Sequence, residues 1–157
     1  MRRQPPQGTE EYWVYKRGLE FAYANTEHGF LKRLFQSIFT RVKGNGSRSR
    51  KYLPRITKDG LKDIYDEQVS KHGKKCLYCG KEFTFTRLKR NRDLKDEKIK
   101  QVRTNCSIDR YDPSRTYQRG NIVFCCWDCN FNKGSSNMSD WINFLKVRKK
   151  IIKWLIR

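Results

Sequence analysis

The chain has 157 residues, enough for one domain with a modest core. Hydrophobic residues make up 36% and the formal net charge is +20, a balance that calls for a polyanionic partner, of which nucleic acid is the usual one. Aromatics at 13% argue against disorder through most of the chain, and no segment is apolar for long enough to span a membrane. No apolar run follows the arginines of M-R-R-Q-P-P-Q-G, so the protein is expected to be intracellular, wherever its nucleic acid is, and not secreted.

Residues 1–9 read as a disordered tail, broken by Pro5, Pro6 and Gly8. Thr9-Glu10-Glu11 opens a helix, since acidic residues suit a first turn. Tyr12, Trp13, Tyr15, Leu19, Phe21, Ala22 and Tyr23 then recur at helical spacing. A break at Asn25–Gly29 precedes a second helix, predicted over Phe30–Val42, with Leu31, Leu34, Phe35, Ile38 and Phe39 on one face. The pair reads as a packing unit that thickens a small core; alternatively its basic side lies on nucleic acid. The loop Gly44–Lys51 is flexible and basic, which makes Arg48, Arg50 and Lys51 candidate phosphate contacts. Residues 10–54 thus form a helical N-terminal extension.

The central unit is expected over 55–137. Thr57 is placed to cap a helix that runs to about Lys71, buries Leu61, Ile64, Tyr65 and Val69, and ends at His72-Gly73. The tight turn K-C-L-Y-C-G follows, and Glu82–Arg87 alternates like a strand. The charged stretch 88–104 reads as an insertion; Arg87, Lys89 and Arg90 are further candidate phosphate contacts. Cys106–Tyr111 and Ile122–Phe124 are predicted strands, with a helix starting near Trp127–Asn130. Beyond Gly134-Ser135-Ser136, residues 138–157 form a basic amphipathic helix opened by Ser139-Asp140-Trp141. A membrane-surface helix has a similar pattern, but the cysteine unit beside it favours nucleic acid over membrane.

Four of the six cysteines form two pairs, Cys76-x-x-Cys79 and Cys126-x-x-Cys129. With no sign of secretion, that spacing reads as zinc rather than disulfides. Four thiolates close the coordination sphere, so the zinc is structural. Cys125 is adjacent, but only Cys126 leaves two residues before Cys129; Cys106 reads as a buried apolar thiol.

The stretch C-S-I-D-R-Y-D-P-S-R-T-Y-Q-R-G-N-I-V-F-C-C-W-D-C-N-F-N-K, together with the upstream cysteine pair and the Thr57 helix, resembles the HNH endonucleases, also called ββα-metal or His-Me finger nucleases. Cys76, Cys79, Asp109, Asn121, Cys126, Cys129, Asn130 and Lys133 match that family's pattern over roughly residues 55 to 137. The resemblance implies an α+β fold: a ββα-metal nuclease core stapled by the four-cysteine zinc site and flanked by N-terminal and C-terminal helices. It implies that Asp109 and Asn130 hold a catalytic magnesium or manganese ion, and that Asn121 fixes the loop between the strands. Read from the residues alone, the alternative is that Asp109 is a turn residue and Asn130 a helix cap. Lys133 joins the candidate phosphate contacts.

One position departs from the pattern: Arg110 stands where the family has its general-base histidine, and arginine does not accept a proton at neutral pH. Arg110 can clamp a phosphate instead. Tyr78, inside the first cysteine turn, is the leading candidate to activate water if a cation and Arg110 lower its pKa; Tyr111, Tyr117 and Asp112 are its rivals, while His28 and His72 occupy no family position. The S-I-D-R run is similar to phage and large-virus HNH proteins and to PacI-type restriction endonucleases. The expectation is a metal-dependent endonuclease acting on double-stranded DNA, with RNA as the other substrate the charge admits, and a homodimer if both strands are cut. Two alternatives stand beside it: a nucleic-acid-binding or ribonucleoprotein structural protein that has lost hydrolysis, and a zinc-finger adaptor.

Overall fold

The computed structural model describes residues 4–43, 53–87 and 102–155, with side chains to residue 40 in the second helix and to residue 149 in the last. Among these residues the fold is mixed α+β: five helices and one two-stranded antiparallel sheet, with four cysteines drawn close together. The helices are α1 (Glu10–Ala24), α2 (Glu27–Lys43), α3 (Lys58–His72), α4 (Trp127–Lys133) and α5 (Met138–Leu155), and the strands are β1 (Cys106–Arg110) and β2 (Ile122–Cys126). None of the described helices is long and apolar enough to cross a membrane.

The sheet organises the rest. Asp109 pairs with Val123 and Ile108 with Phe124. Successive side chains point to opposite faces, so the hairpin has one aromatic face and one polar face. Phe124 is fully buried on the aromatic face, meeting the rings of Tyr65 from α3 at 5.0 Å and Phe35 from α2 at 6.1 Å, both edge-to-face. Leu31, Ile38 and Leu61 complete this core. Ser107 and Asp109 point to the other face, where α4 packs.

Local chemistry explains the boundaries. Thr9 caps α1 by accepting from the Tyr12 amide, and Thr57 caps α3 by accepting from the Gly60 amide. α2 begins at Glu27, three residues before the predicted start, because Thr26 Oγ1 accepts from the Gly29 amide and provides the cap. Gly29 is required there: a Cβ would lie 2.0 Å from the Tyr23 carbonyl oxygen. β2 extends to Cys126, and α5 starts at Met138 with Asn137 capping through the Asp140 amide.

Two expectations are corrected. Glu82–Arg87 is not a ladder strand; it carries only single bridges, Glu82 to Lys75 and Thr84 to Asn105. The buried side chain of Asn105 takes the place of a partner strand, accepting from the Thr86 amide at 2.9 Å and donating to the Thr86 carbonyl at 2.7 Å. α1 does not thicken the core. Only Ala24 of this helix is buried, while Trp13 and Leu19 are about half exposed.

Candidate functional site

The two cysteine turns meet at the end of the hairpin. The Sγ atoms of Cys76, Cys79, Cys126 and Cys129 all lie within 4.8 Å of one another, and Cys79 and Cys126 approach to 3.8 Å. Zinc–sulfur bonds of about 2.3 Å in a tetrahedron place sulfurs just under 4 Å apart, so the donor set fits zinc. All six cysteines are free thiols. The first turn is shaped by backbone bonds from Cys76 N to Lys81 O and from Gly80 N to Cys76 O, with Gly80 at a φ of +73°. The second turn follows from strand alternation, which sends Cys125 and Cys126 to opposite faces so that only one of them can join the cluster. Hydrogen bonds from Cys126 and Cys129 hold the Cys76 thiol far below its ordinary range, and sharing protons with Cys126 and Cys76 pushes Cys129 up. Cys106 and Cys125 are raised by burial, with the Asp109 carboxylate adding to the effect at Cys125.

Beside the cluster, on the polar face of the hairpin, sits Asp109, a carboxylate only 6% exposed. Tyr78 donates its hydroxyl to Asp109 Oδ2 at 2.6 Å, and Lys133 Nζ lies 3.1 Å from the same oxygen. Lys133 is 1% exposed and also donates to the Arg110 carbonyl at 2.9 Å. It therefore anchors Asp109 from inside and does not offer its charge to a phosphate, which corrects the surface role expected for it. Asn130, one turn earlier on α4, donates from Nδ2 to Ser107 Oγ at 2.7 Å and to the Ile108 carbonyl at 3.1 Å. Its Oδ1, like Asp109 Oδ1, accepts no hydrogen bond among the described residues, and neither is a buried orphan.

Asn121 is completely buried beneath the loop between the strands. Its Oδ1 accepts from the Asp112 amide at 2.7 Å, and its Nδ2 donates to the carbonyls of Asp112 and Thr116 at 3.1 and 2.9 Å. Arg110 leaves the sheet beside that loop, its guanidinium 5.4 Å from the Tyr117 ring centroid and one nitrogen 3.2 Å from the Arg115 carbonyl.

The candidates for activating water separate clearly. Burial and the bond to Asp109 push the Tyr78 phenol well above its ordinary range. In this arrangement it donates to Asp109 and orients it. The Ser114 hydroxyl and amide hold the Asp112 carboxyl below its usual range in a local turn. Tyr111 is half exposed beside Arg110. His28 lies at the start of α2 against Tyr23, and His72 ends α3. Of the candidate phosphate contacts, Arg87 is exposed, with its amide bound to Asn25 Oδ1; Arg48, Arg50, Lys51, Lys89 and Arg90 lie outside the described residues.

Sequence reasoning did not single out Gln68, Asn105 or Ser107. Gln68 reaches from α3 to bind both backbone groups of Phe124, its Nε2 donating to the carbonyl at 2.8 Å and its Oε1 accepting from the amide at 3.0 Å. No motif marks it, because the contact spans elements far apart in the chain. The chain matches no family model, no curated protein and no solved structure.

Proposed function

We propose that this chain is a metal-dependent nuclease of the HNH type, built on a zinc-stapled ββα unit, that hydrolyses phosphodiester bonds in DNA. The observation that carries the reading is the convergence of Asp109 from β1 with Asn130 and Lys133 from α4 on one sheet face, beside the four-cysteine cluster, in a chain of net charge +20. Cys76, Cys79, Cys126 and Cys129 would hold a structural zinc ion. Asp109 and Asn130 offer two oxygens suited to a hard cation such as magnesium or manganese. When bound, such an ion stabilises the negative charge that develops on the scissile phosphate and the leaving oxygen. The chain's own residues position the rest. Lys133 and Tyr78 fix the Asp109 carboxylate through Oδ2, and Ser107 and the Ile108 carbonyl fix the Asn130 amide. Arg110 has the donor geometry to clamp a phosphate oxygen.

One observation favours a second reading. Asp109 Oδ2 is already shared by a buried lysine and by a phenol that donates to it, and Arg110, which does not accept a proton, follows it in the chain. In that reading the zinc knot persists in a nucleic-acid-binding protein, such as a structural component of a ribonucleoprotein, that has lost hydrolysis.

The experiment is a nicking assay on supercoiled plasmid with magnesium or manganese, comparing the zinc-loaded protein with Asp109→Ala and with RNA substrates alongside. Metal-dependent cleavage that vanishes in the variant supports the nuclease. Tight, salt-sensitive binding with no cleavage of DNA or RNA supports the second reading.

A further inference from the structure

Resting on the nucleic-acid reading above, a cavity beside Asp109 deepens it. The cavity, of about 380 Å³, lies between α5 and the hairpin. That volume falls in the range of small-ligand pockets. α5 lines it with Ile142, Lys146 and Lys149 among others, positions spaced to share one helix face. Opposite stand Leu77 and Tyr78 of the cysteine turn and Tyr111 at the end of β1. Leu77, Tyr111 and Ile142 are 45, 48 and 40% exposed, a cluster of large apolar groups in a chain whose mean hydropathy is −0.94. Among the described residues no carboxylate lines the cavity, and the charged groups there are the two lysines.

The place matters as much as the lining. Tyr78 is hydrogen-bonded to Asp109, Val123 in the cavity wall is the cross-strand partner of Asp109, and Tyr111 follows Arg110. A ligand here therefore abuts the candidate cation site. It must combine a flat apolar body, for the tyrosine and aliphatic walls, with an anionic group for Lys146 and Lys149.

We propose that this cavity binds an unstacked nucleobase of a bound strand, next to a phosphodiester clamped by Arg110 beside the candidate cation site, with Lys146 and Lys149 on a flanking phosphate. Aromatic and aliphatic walls accept any base face, so the site favours single strands or locally opened duplex over intact duplex.

The test uses the full-length zinc-loaded protein and short single-stranded oligodeoxynucleotides, one intact and one carrying a central abasic residue. A base–aromatic stack contributes about 1–3 kcal/mol, so the intact strand is expected to bind roughly 5- to 150-fold tighter. Ile142→Trp, which fills the cavity, should erase that difference. Tyr111→Ala, at the exposed rim, should reduce it and serves if Ile142→Trp fails to fold. Lys146→Gln with Lys149→Gln should weaken both strands alike and lower the slope of log affinity against log salt by about 0.7, the value for one phosphate on a single strand.

Equal binding of intact and abasic strands, or an undiminished difference in both Ile142→Trp and Tyr111→Ala, overturns the pocket. So does a self-association of the native chain that Ile142→Trp abolishes, since a second copy would then be the occupant. Failure of the nuclease reading is seen separately: a base preference without plasmid nicking removes hydrolysis and keeps the pocket, whereas nicking without a base preference does the opposite.

Discussion

Lys133 and Asp109 form an ion pair at 3.1 Å whose side chains are 0% and 7% exposed. Such a pair is expensive to break from one side, because the remaining charge is left in a largely buried place without its counter-ion. Lys133→Met is expected to destabilise the fold by about 3–5 kcal/mol. Lys133→Met combined with Asp109→Asn removes both charges and should cost less than the two single changes together, with a coupling of roughly 0.5–3 kcal/mol. Urea denaturation of the four proteins in the cycle measures this. Strict additivity would mean that the two side chains do not sense each other.

The cysteine cluster makes a selective prediction. Four of six thiols converge, and the other two are buried outside the cluster. Replacing Cys76, Cys79, Cys126 or Cys129 by serine should abolish stoichiometric zinc binding and unfold the hairpin end, since metal affinity in such a site is folding free energy. Cys106→Ala and Cys125→Ala should retain zinc. Elemental analysis of the purified variants, with circular dichroism before and after a strong chelator, decides it. Zinc loss in Cys125→Ala with retention in Cys126→Ser would reverse the strand alternation assigned here.

The Gln68 amide stands where a third strand would pair with Phe124, and it shares the Phe124 carbonyl with the Leu77 amide, which lies at 3.4 Å. Gln68→Glu keeps the size and an acceptor but replaces the nearer of the two donors to the Phe124 carbonyl, so it should cost about 0.5–1.5 kcal/mol. Amide exchange at Phe124 should quicken in Gln68→Ala, where the acceptor for that N–H is lost. Unchanged protection would mean that the contact contributes nothing to holding the edge.

How far the sequence disclosed all this follows from the range of each interaction. The cysteine pairs were legible because a metal site is encoded by short spacings, and the caps at Thr9 and Thr57 because capping is local. The α2 face was legible from its period: Leu31, Phe35 and Ile38 are buried where the pattern places them. What escaped depends on contacts across the chain. Glu82–Arg87 has strand-like alternation, yet Asn105, nineteen residues beyond Thr86, replaces the ladder with one side chain. Lys133 is a cation in a basic chain, and only the packing of α4 against β1 shows that its charge points inward. The α1 aromatics follow helical spacing, but period alone does not say whether a face finds a partner.

Tyr65 supplies the pH test. Its hydroxyl donates to Glu27 Oε1 at 2.9 Å within the aromatic core, and burial, followed by that bond, raises its pKa well above the ordinary tyrosine value. The sign follows from which state holds the proton. Above about pH 10 the unfolded chain releases it while the folded chain keeps it, so alkali favours unfolding. The stabilisation is complete below the ordinary tyrosine pKa and is lost as pH climbs from there toward the raised value. Tyr65→Phe has no proton to lose. It should be less stable than the native chain at neutral pH, by about 1 kcal/mol for the lost hydrogen bond, and the gap should narrow above about pH 10. Denaturant midpoints measured for both proteins from neutral to alkaline pH give the answer, with the lysines and the remaining tyrosines common to both. A gap that stays constant across that range would remove Tyr65 as a source of the alkaline sensitivity.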